Sequence, residues 1–93
     1  MSRKRYVHLI DEQLKDLDAH IGHLRAKERS LHGPARDRLT ENVRLLENKL
    51  HDARSLWKQV GSSPNDWLNR KKVLDAKVIR LQKSLTYVKN TLS

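Results

Sequence analysis

Residues 39–60 read LTENVRLLENKLHDARSLWKQV, and their apolar side chains recur at alternating intervals of four and three residues. The recurring set is Leu39, Val43, Leu46, Leu50, Ala53, Trp57 and Val60. This spacing places one apolar stripe along an α-helix and turns it toward a partner helix, as in a coiled-coil seam. The stretch therefore predicts a long helix that packs lengthwise against other helices.

Two further stretches, one on each side, carry the same seam. The N-terminal set is Val7, Ile10, Leu14, Leu17, Ile21, Leu24 and Leu31. The C-terminal set is Trp67, Leu74, Val78, Leu81, Leu85, Val88 and Leu92. Arg3, Glu28 and Lys71 fill the polar seam positions, and we interpret the last two as residues that fix helix register rather than as catalytic groups. Three long helices are expected.

The first helix break is predicted at His32, Gly33 and Pro34. Glycine is favoured just after a helix and proline at the first helical position. The seam also changes phase here, because the apolar set resumes at Leu39 instead of continuing in register from Leu31. Both observations indicate a turn between the first two helices.

The second break is predicted between Gly61 and Asp66, with Ser63 as N-cap, Pro64 at the first helical position and Asp66 closing a capping box. The alternative is a kinked continuous helix, because Val60 and Trp67 stay in heptad register. An interior proline costs about 3 kcal/mol and an interior glycine about 1 kcal/mol, which favours a turn.

The predicted fold is all-α: an antiparallel up-down-up three-helix bundle with coiled-coil-like heptad packing. Its helices lie near residues 3–32, 34–60 and 64–92, within one domain that covers residues 1–93. Short turns make neighbouring helices antiparallel, so residues that are equally far from a turn lie at the same height in the bundle. This matching places Trp57 and Trp67 at one end of the bundle, with Tyr6 close by. The same matching puts Leu45 level with Ile79.

Composition argues against an enzyme. The chain has no cysteine and no glycine-rich phosphate loop, and its serines lack a nucleophile-elbow motif. Asp16, His20 and His23 have helical spacing but not the histidine pair of a zinc helix, so neither a metal nor another cofactor is expected. No apolar run is long enough to span a bilayer. We expect a soluble, cytoplasmic protein with no catalytic residue, no small-molecule substrate and no membrane insertion.

Charge is concentrated in the third helix. The whole chain carries a formal charge of +9, and residues 62–93 hold seven basic and two acidic groups. A basic stripe is expected of a protein that contacts phosphates. The predicted anion or nucleic-acid contacts are Arg70, Lys72, Lys77, Arg80, Lys83 and Lys89. No sequence-specific DNA-binding or RNA-binding motif accompanies them.

Some apolar residues fall outside the seam, where they are available to a partner protein or a second copy of the chain. The predicted partner contacts are Leu45, Val73, Ile79 and Tyr87. An arrangement in which the third helix is exchanged between protomers is an alternative to packing on its own chain.

The preferred function is a non-enzymatic helical interaction or assembly protein, an adapter or subunit that acts through its outer helix faces. The alternative is a nucleic-acid-associated protein that makes non-specific phosphate contacts through the basic third helix. A face that exposes the outer apolar residues together favours a protein partner. A continuous basic face without apolar residues favours nucleic acid.

Overall fold

The computed structural model describes residues 2–62 and 65–92, and these residues form three long helices that pack against one another, with no strand. Helix α1 spans Arg3–Lys27, α2 spans Gly33–Ser62 and α3 spans Trp67–Leu92. The bundle is elongated, with extents of 49 × 19 × 17 Å. The predicted all-α three-helix bundle is confirmed.

Helix α1 is capped at its start and ends earlier than expected. The hydroxyl of Ser2 accepts a hydrogen bond from the backbone N–H of Arg5 at 3.2 Å. After Lys27 the chain tightens into a 3₁₀ turn over Glu28–Ser30 instead of continuing to residue 32. The hydroxyl of Ser30 donates a hydrogen bond to the carbonyl of Lys27 at 2.8 Å. A side chain therefore satisfies one of the carbonyls that the end of the helix leaves without a backbone partner.

The first turn depends on glycine. Leu31 is extended, and Gly33 has a φ of 64°, a conformation that side-chain-bearing residues adopt only at a cost. Helix α2 starts at Gly33, at the break that the sequence predicts.

The second break lies within the predicted stretch from Gly61 to Asp66, but the helix boundaries on its two sides lie two and three residues later than predicted. Ser63 and Pro64, the expected N-cap and first helical residue, lie outside the described residues. Helix α2 continues to Ser62, and α3 begins at Trp67 rather than at residue 64. Asp66 immediately precedes α3 with a φ of 63°, and its carbonyl accepts the N–H of Arg70 at 3.2 Å.

The role of Asp66 therefore differs from the predicted capping box. Its carboxylate accepts a hydrogen bond from the side-chain amide of Asn69. Aspartate tolerates the left-handed backbone region better than most residues, so it can turn the chain directly into α3.

The seam residues form the core. Most of them are buried, and Val7, Leu31, Trp57, Trp67 and Leu92 are partly buried against the others. Tyr6, which the seam pattern did not include, is also buried. The fully enclosed large side chains are Ile21, Leu39, Leu46, Val60, Leu74 and Leu81.

Tyr6, Trp57 and Trp67 gather at the bundle end that holds the second turn, as predicted. The rings of Tyr6 and Trp67 lie 6.1 Å apart between centroids. The indole N–H of Trp57 donates to the carbonyl of Val7 at 2.8 Å, which satisfies the polar atom of a large, partly buried ring.

Side-chain contacts join α1 to α2. Asp18 contacts Arg54, and Arg25, later in α1, contacts Glu47, earlier in α2. Within the described part of the chain, no helix is long and apolar enough to cross a membrane.

Candidate functional site

Helix α3 presents two electrostatically different sides. Its single carboxylate within Trp67–Leu92, Asp75, faces α1. There Oδ1 of Asp75 accepts the hydroxyl of Tyr6 at 2.6 Å, and Oδ2 accepts Nζ of Lys71 at 2.9 Å. The side of α3 that faces α2 therefore carries no acidic residue of its own.

A surface groove runs between α2 and α3, and its centre combines apolar and basic side chains. Leu45 and Lys49 come from α2, and Lys83 and Tyr87 come from α3. The central section has a volume of about 330 Å³. Leu45 is 43% exposed and Tyr87 is 68% exposed, so two large apolar groups from different helices are open to solvent at one place.

The groove continues in both directions along α2. Toward the first turn it widens into a section of about 460 Å³ that includes Arg38 and shares Tyr87 with the centre. Toward the second turn it passes Lys49 into a section of about 130 Å³ lined by Asp52, Lys77 and Arg80. We call this surface the α2–α3 groove and define it by Arg38, Leu45, Lys49, Asp52, Lys77, Arg80, Lys83 and Tyr87.

The groove is strongly basic. Within residues 2–62 and 65–92, no ion pair involves Lys49, Lys77, Arg80 or Lys83. Asp52 is the carboxylate that defines one end of the groove. Glu41 lies at the other end, but both of its oxygens accept hydrogen bonds from Arg44, and these bonds lower the pKa of Glu41.

The face between α1 and α2 is different because its charges compensate one another. Arg54 pairs with Asp18 at 3.2 Å, and Arg25 pairs with Glu47. The hydrogen bond from Arg25 to Glu47 raises the pKa of Arg25. Within the described residues, Arg25 and Arg54 on this face are thus paired with carboxylates, whereas Lys49, Lys77, Arg80 and Lys83 in the α2–α3 groove are not.

The six predicted anion contacts do not form one stripe. Lys77, Arg80 and Lys83 line the α2–α3 groove. Arg70 donates to Oε1 of Gln59 at 3.4 Å, close to the second turn. Lys72 is exposed, and Lys89 is half-buried toward α1, with Nζ 2.7 Å from Nδ1 of His20.

The four predicted partner contacts are also divided. Leu45 and Tyr87 meet in the α2–α3 groove. Ile79 lies in a separate groove of about 370 Å³ between α1 and α3. Val73 is exposed and precedes Arg80 by two helical turns, so it lies on the same side of α3 as Arg80.

The prediction that Leu45 and Ile79 lie at the same height in the bundle was wrong. Leu45 shares its groove with Tyr87 and not with Ile79. The helix boundaries at the second turn lie two and three residues later than predicted, and in a helical hairpin this shift moves the facing residue on α3 by about five positions. Turn placement therefore decides which outer residues meet.

Sequence reasoning found Leu45 on α2 but not the basic residues that α2 contributes to this site. Arg38 and Lys49 were not predicted as anion contacts because residues 34–61 carry six basic and four acidic groups, a nearly balanced charge. The four-residue interval between Leu45 and Lys49 was the available signal, since it places both on one side of α2.

The described residues bring together no group of three histidine, aspartate or glutamate side chains suited to a metal ion. His20 lies 3.5 Å from Asp16 between Nε2 and Oδ2, and its ring centroid is 6.4 Å from that of His23. Comparison with known proteins finds no family model, no curated protein and no solved structure that matches the chain.

Proposed function

We propose that this chain is a non-enzymatic helical interaction protein, an adapter or assembly subunit, that binds a partner protein through the α2–α3 groove. The observation that carries the proposal is the exposure of Leu45 and Tyr87 in one groove between two helices. Single exposed apolar residues are ordinary on protein surfaces. Leu45 and Tyr87 converge in one concave site, with Lys49 and Lys83 beside them. This arrangement resembles a protein interface, in which an apolar centre is surrounded by a polar rim.

The bundle in this proposal is antiparallel and up-down-up, with each helix packed on its own chain. The contacts of Asp18 with Arg54 and of Tyr6 with Asp75 support this arrangement. A third of the residues are charged, which suits a soluble adapter, and the cytoplasmic location stays a prediction.

Non-specific nucleic-acid binding is the second candidate, and the unpaired cluster of Lys49, Lys77, Arg80 and Lys83 favours it. Phosphate contacts need basic side chains but have no use for an exposed leucine at their centre. The position of Leu45 among these charges is why a protein partner ranks first.

Site-directed photocrosslinking tests the proposed function. A photoreactive phenylalanine analogue replaces Tyr87 in one variant and Ala19, on the exposed side of α1, in a matched control. We expect a protein adduct from position 87 in cells of the source organism and none from position 19. Equal adducts from both positions, or adducts with nucleic acid alone, would contradict the proposal.

Direct binding then checks the groove itself. The crosslinked protein is identified by mass spectrometry, purified and titrated calorimetrically against the wild type and Leu45→Glu. We expect the variant to bind at least about tenfold more weakly, because it places a carboxylate where the apolar contact is made. Unchanged affinity in a folded Leu45→Glu variant would remove the groove as the interface.

A further inference from the structure

We infer that the partner segment is an acidic amphipathic α-helix, which lies along the α2–α3 groove as a fourth helix of the bundle. This inference rests on the proposed function and adds the chemistry of the partner. The shape of the groove, its apolar centre and its charge each support this partner.

The shape of the groove fits a helix. On α2 it extends from Ala35 to Asp52, which corresponds to about 25 Å at 1.5 Å per residue. A partner helix of about 17 residues, between four and five turns, spans this length. The described residues contain no strand, so they offer no sheet edge to which an extended peptide could add.

The apolar centre sets the pattern of the partner. Leu45 and Tyr87 face the groove from its two walls. A helix laid between them buries both if it carries apolar residues at intervals of three and four, which keeps one apolar stripe toward the groove. The aromatic ring of Tyr87 can supply a large part of the contact area.

The charges of the groove determine which charge the partner should carry. Lys49 and Lys83 lie beside the apolar centre, and Lys77 and Arg80 lie toward the second turn. None of these four side chains is paired with a carboxylate within residues 2–62 and 65–92, and Asp52 is the acidic group among them. Glutamate or aspartate flanking the apolar stripe of a partner helix would complement both walls.

A second copy of this chain fits the groove poorly. Face-to-face pairing of two α2–α3 grooves would bring Lys49 and Lys83 of each copy against like charges while removing water from them. Like-charge juxtaposition in an interface costs several kcal/mol. Charge complementarity therefore favours an acidic partner over self-association through this face.

A synthetic helix supplies the probe for this inference. The fluorescein-labelled peptide has three heptads, with Leu at the a and d positions and Glu at e and g. Fluorescence anisotropy measures its binding to the full chain at about 50 and about 300 mM NaCl. We expect micromolar binding that weakens severalfold at the higher salt, because charged contacts are screened.

Three control ligands separate the contributions. One peptide carries Lys in place of Glu, one keeps Glu but carries Ser in place of Leu, and the third ligand is a DNA duplex of random sequence. We expect each to bind at least about tenfold more weakly than the acidic amphipathic peptide. Equal binding of the Ser peptide or of DNA would show that the groove responds to negative charge alone.

Variants of the chain locate the site. Lys49→Glu and Lys83→Glu should each weaken peptide binding about fivefold or more, and Leu45→Ser should do the same. Lys58→Glu makes the same charge change at an exposed position of α2 outside the groove, and Ile79→Ser removes an exposed apolar group outside it. Both controls should bind as the wild type does.

The outcomes distinguish this inference from the function on which it rests. Absence of binding by the acidic amphipathic peptide, or equal binding by its Lys counterpart, overturns the inference that the partner segment is an acidic helix. A protein adduct from position 87 would then still support the groove as a protein interface. If the adduct is also absent, both proposals fail.

Discussion

The hydroxyl of Tyr6 donates a 2.6 Å hydrogen bond to Oδ1 of Asp75 and so joins the start of α1 to the first half of α3. Nζ of Lys71 bonds the other oxygen of Asp75 at 2.9 Å and lies 4.9 Å from the centroid of the Tyr6 ring. Tyr6 is only 4% exposed, so its hydroxyl depends on these groups rather than on water. The same contacts hold the carboxylate of α3 away from the α2–α3 groove.

Replacement of Tyr6 by Phe should lower the free energy of unfolding by about 1–2 kcal/mol, because it removes one hydrogen bond to a charged group and keeps the ring. Urea unfolding at neutral pH measures the change. Tyr87→Phe is the matched control, since it removes the hydroxyl of an exposed ring, and it should change stability by less than about 0.5 kcal/mol. Equal effects of the two substitutions would contradict the assigned role of the Tyr6 hydroxyl.

The contribution of Tyr6 should disappear at high pH. Burial, followed by the hydrogen bond to Asp75, raises the pKa of Tyr6 above its ordinary value. The folded state therefore holds this proton more tightly than the unfolded state, in which the pKa is about 10. The stabilisation is complete below about pH 10 and is lost as the pH rises above that value, where the unfolded chain ionises.

Urea unfolding of the wild type and Tyr6→Phe at about pH 9 and about pH 11 tests this dependence. The stability difference between the two proteins should shrink at the higher pH. A difference that stays constant with pH would refute the pH dependence.

The fold was predictable because it follows from the spacing of apolar residues within each helix, which can be read from the sequence. Burial of Leu39, Leu46, Leu74 and Leu81 follows from their intervals, which place them on the inner side of each helix. The later start of α3 was not predictable in this way. It follows from the left-handed backbone of Asp66, a conformation that an aspartate adopts only in particular turns.

The candidate site was only half predictable for a related reason. The basic character of α3 is visible in its composition, which identified Lys77, Arg80 and Lys83. Lys49 contributes positive charge to the groove only if the acidic residues of α2 are held by other basic residues. The ion pair of Glu47 with Arg25 forms across two helices, so no count along the chain could reveal it.

The core prediction is quantitative at Leu81, which is 0% exposed. Leu81→Ala should lower the free energy of unfolding by about 2–5 kcal/mol, because it removes buried methyl groups and leaves a cavity. The matched control is Leu68→Ala in the same helix, where the side chain is 61% exposed. Chemical denaturation should find a change below about 0.5 kcal/mol for the control, and similar losses for both variants would mean that the seam is not the core.

Two glycines should respond to alanine in opposite directions. An added Cβ meets nothing within 4 Å at either Gly22 or Gly33, so packing cannot account for a difference between them. Gly33 has a φ of 64°, and alanine there should cost about 1–2 kcal/mol of stability. Gly22 lies inside α1, where alanine should add about 0.5–1 kcal/mol because it is the better helix former. Thermal and urea unfolding of both variants measure the two signs, and a stabilised Gly33→Ala would show that the first turn does not require its left-handed glycine.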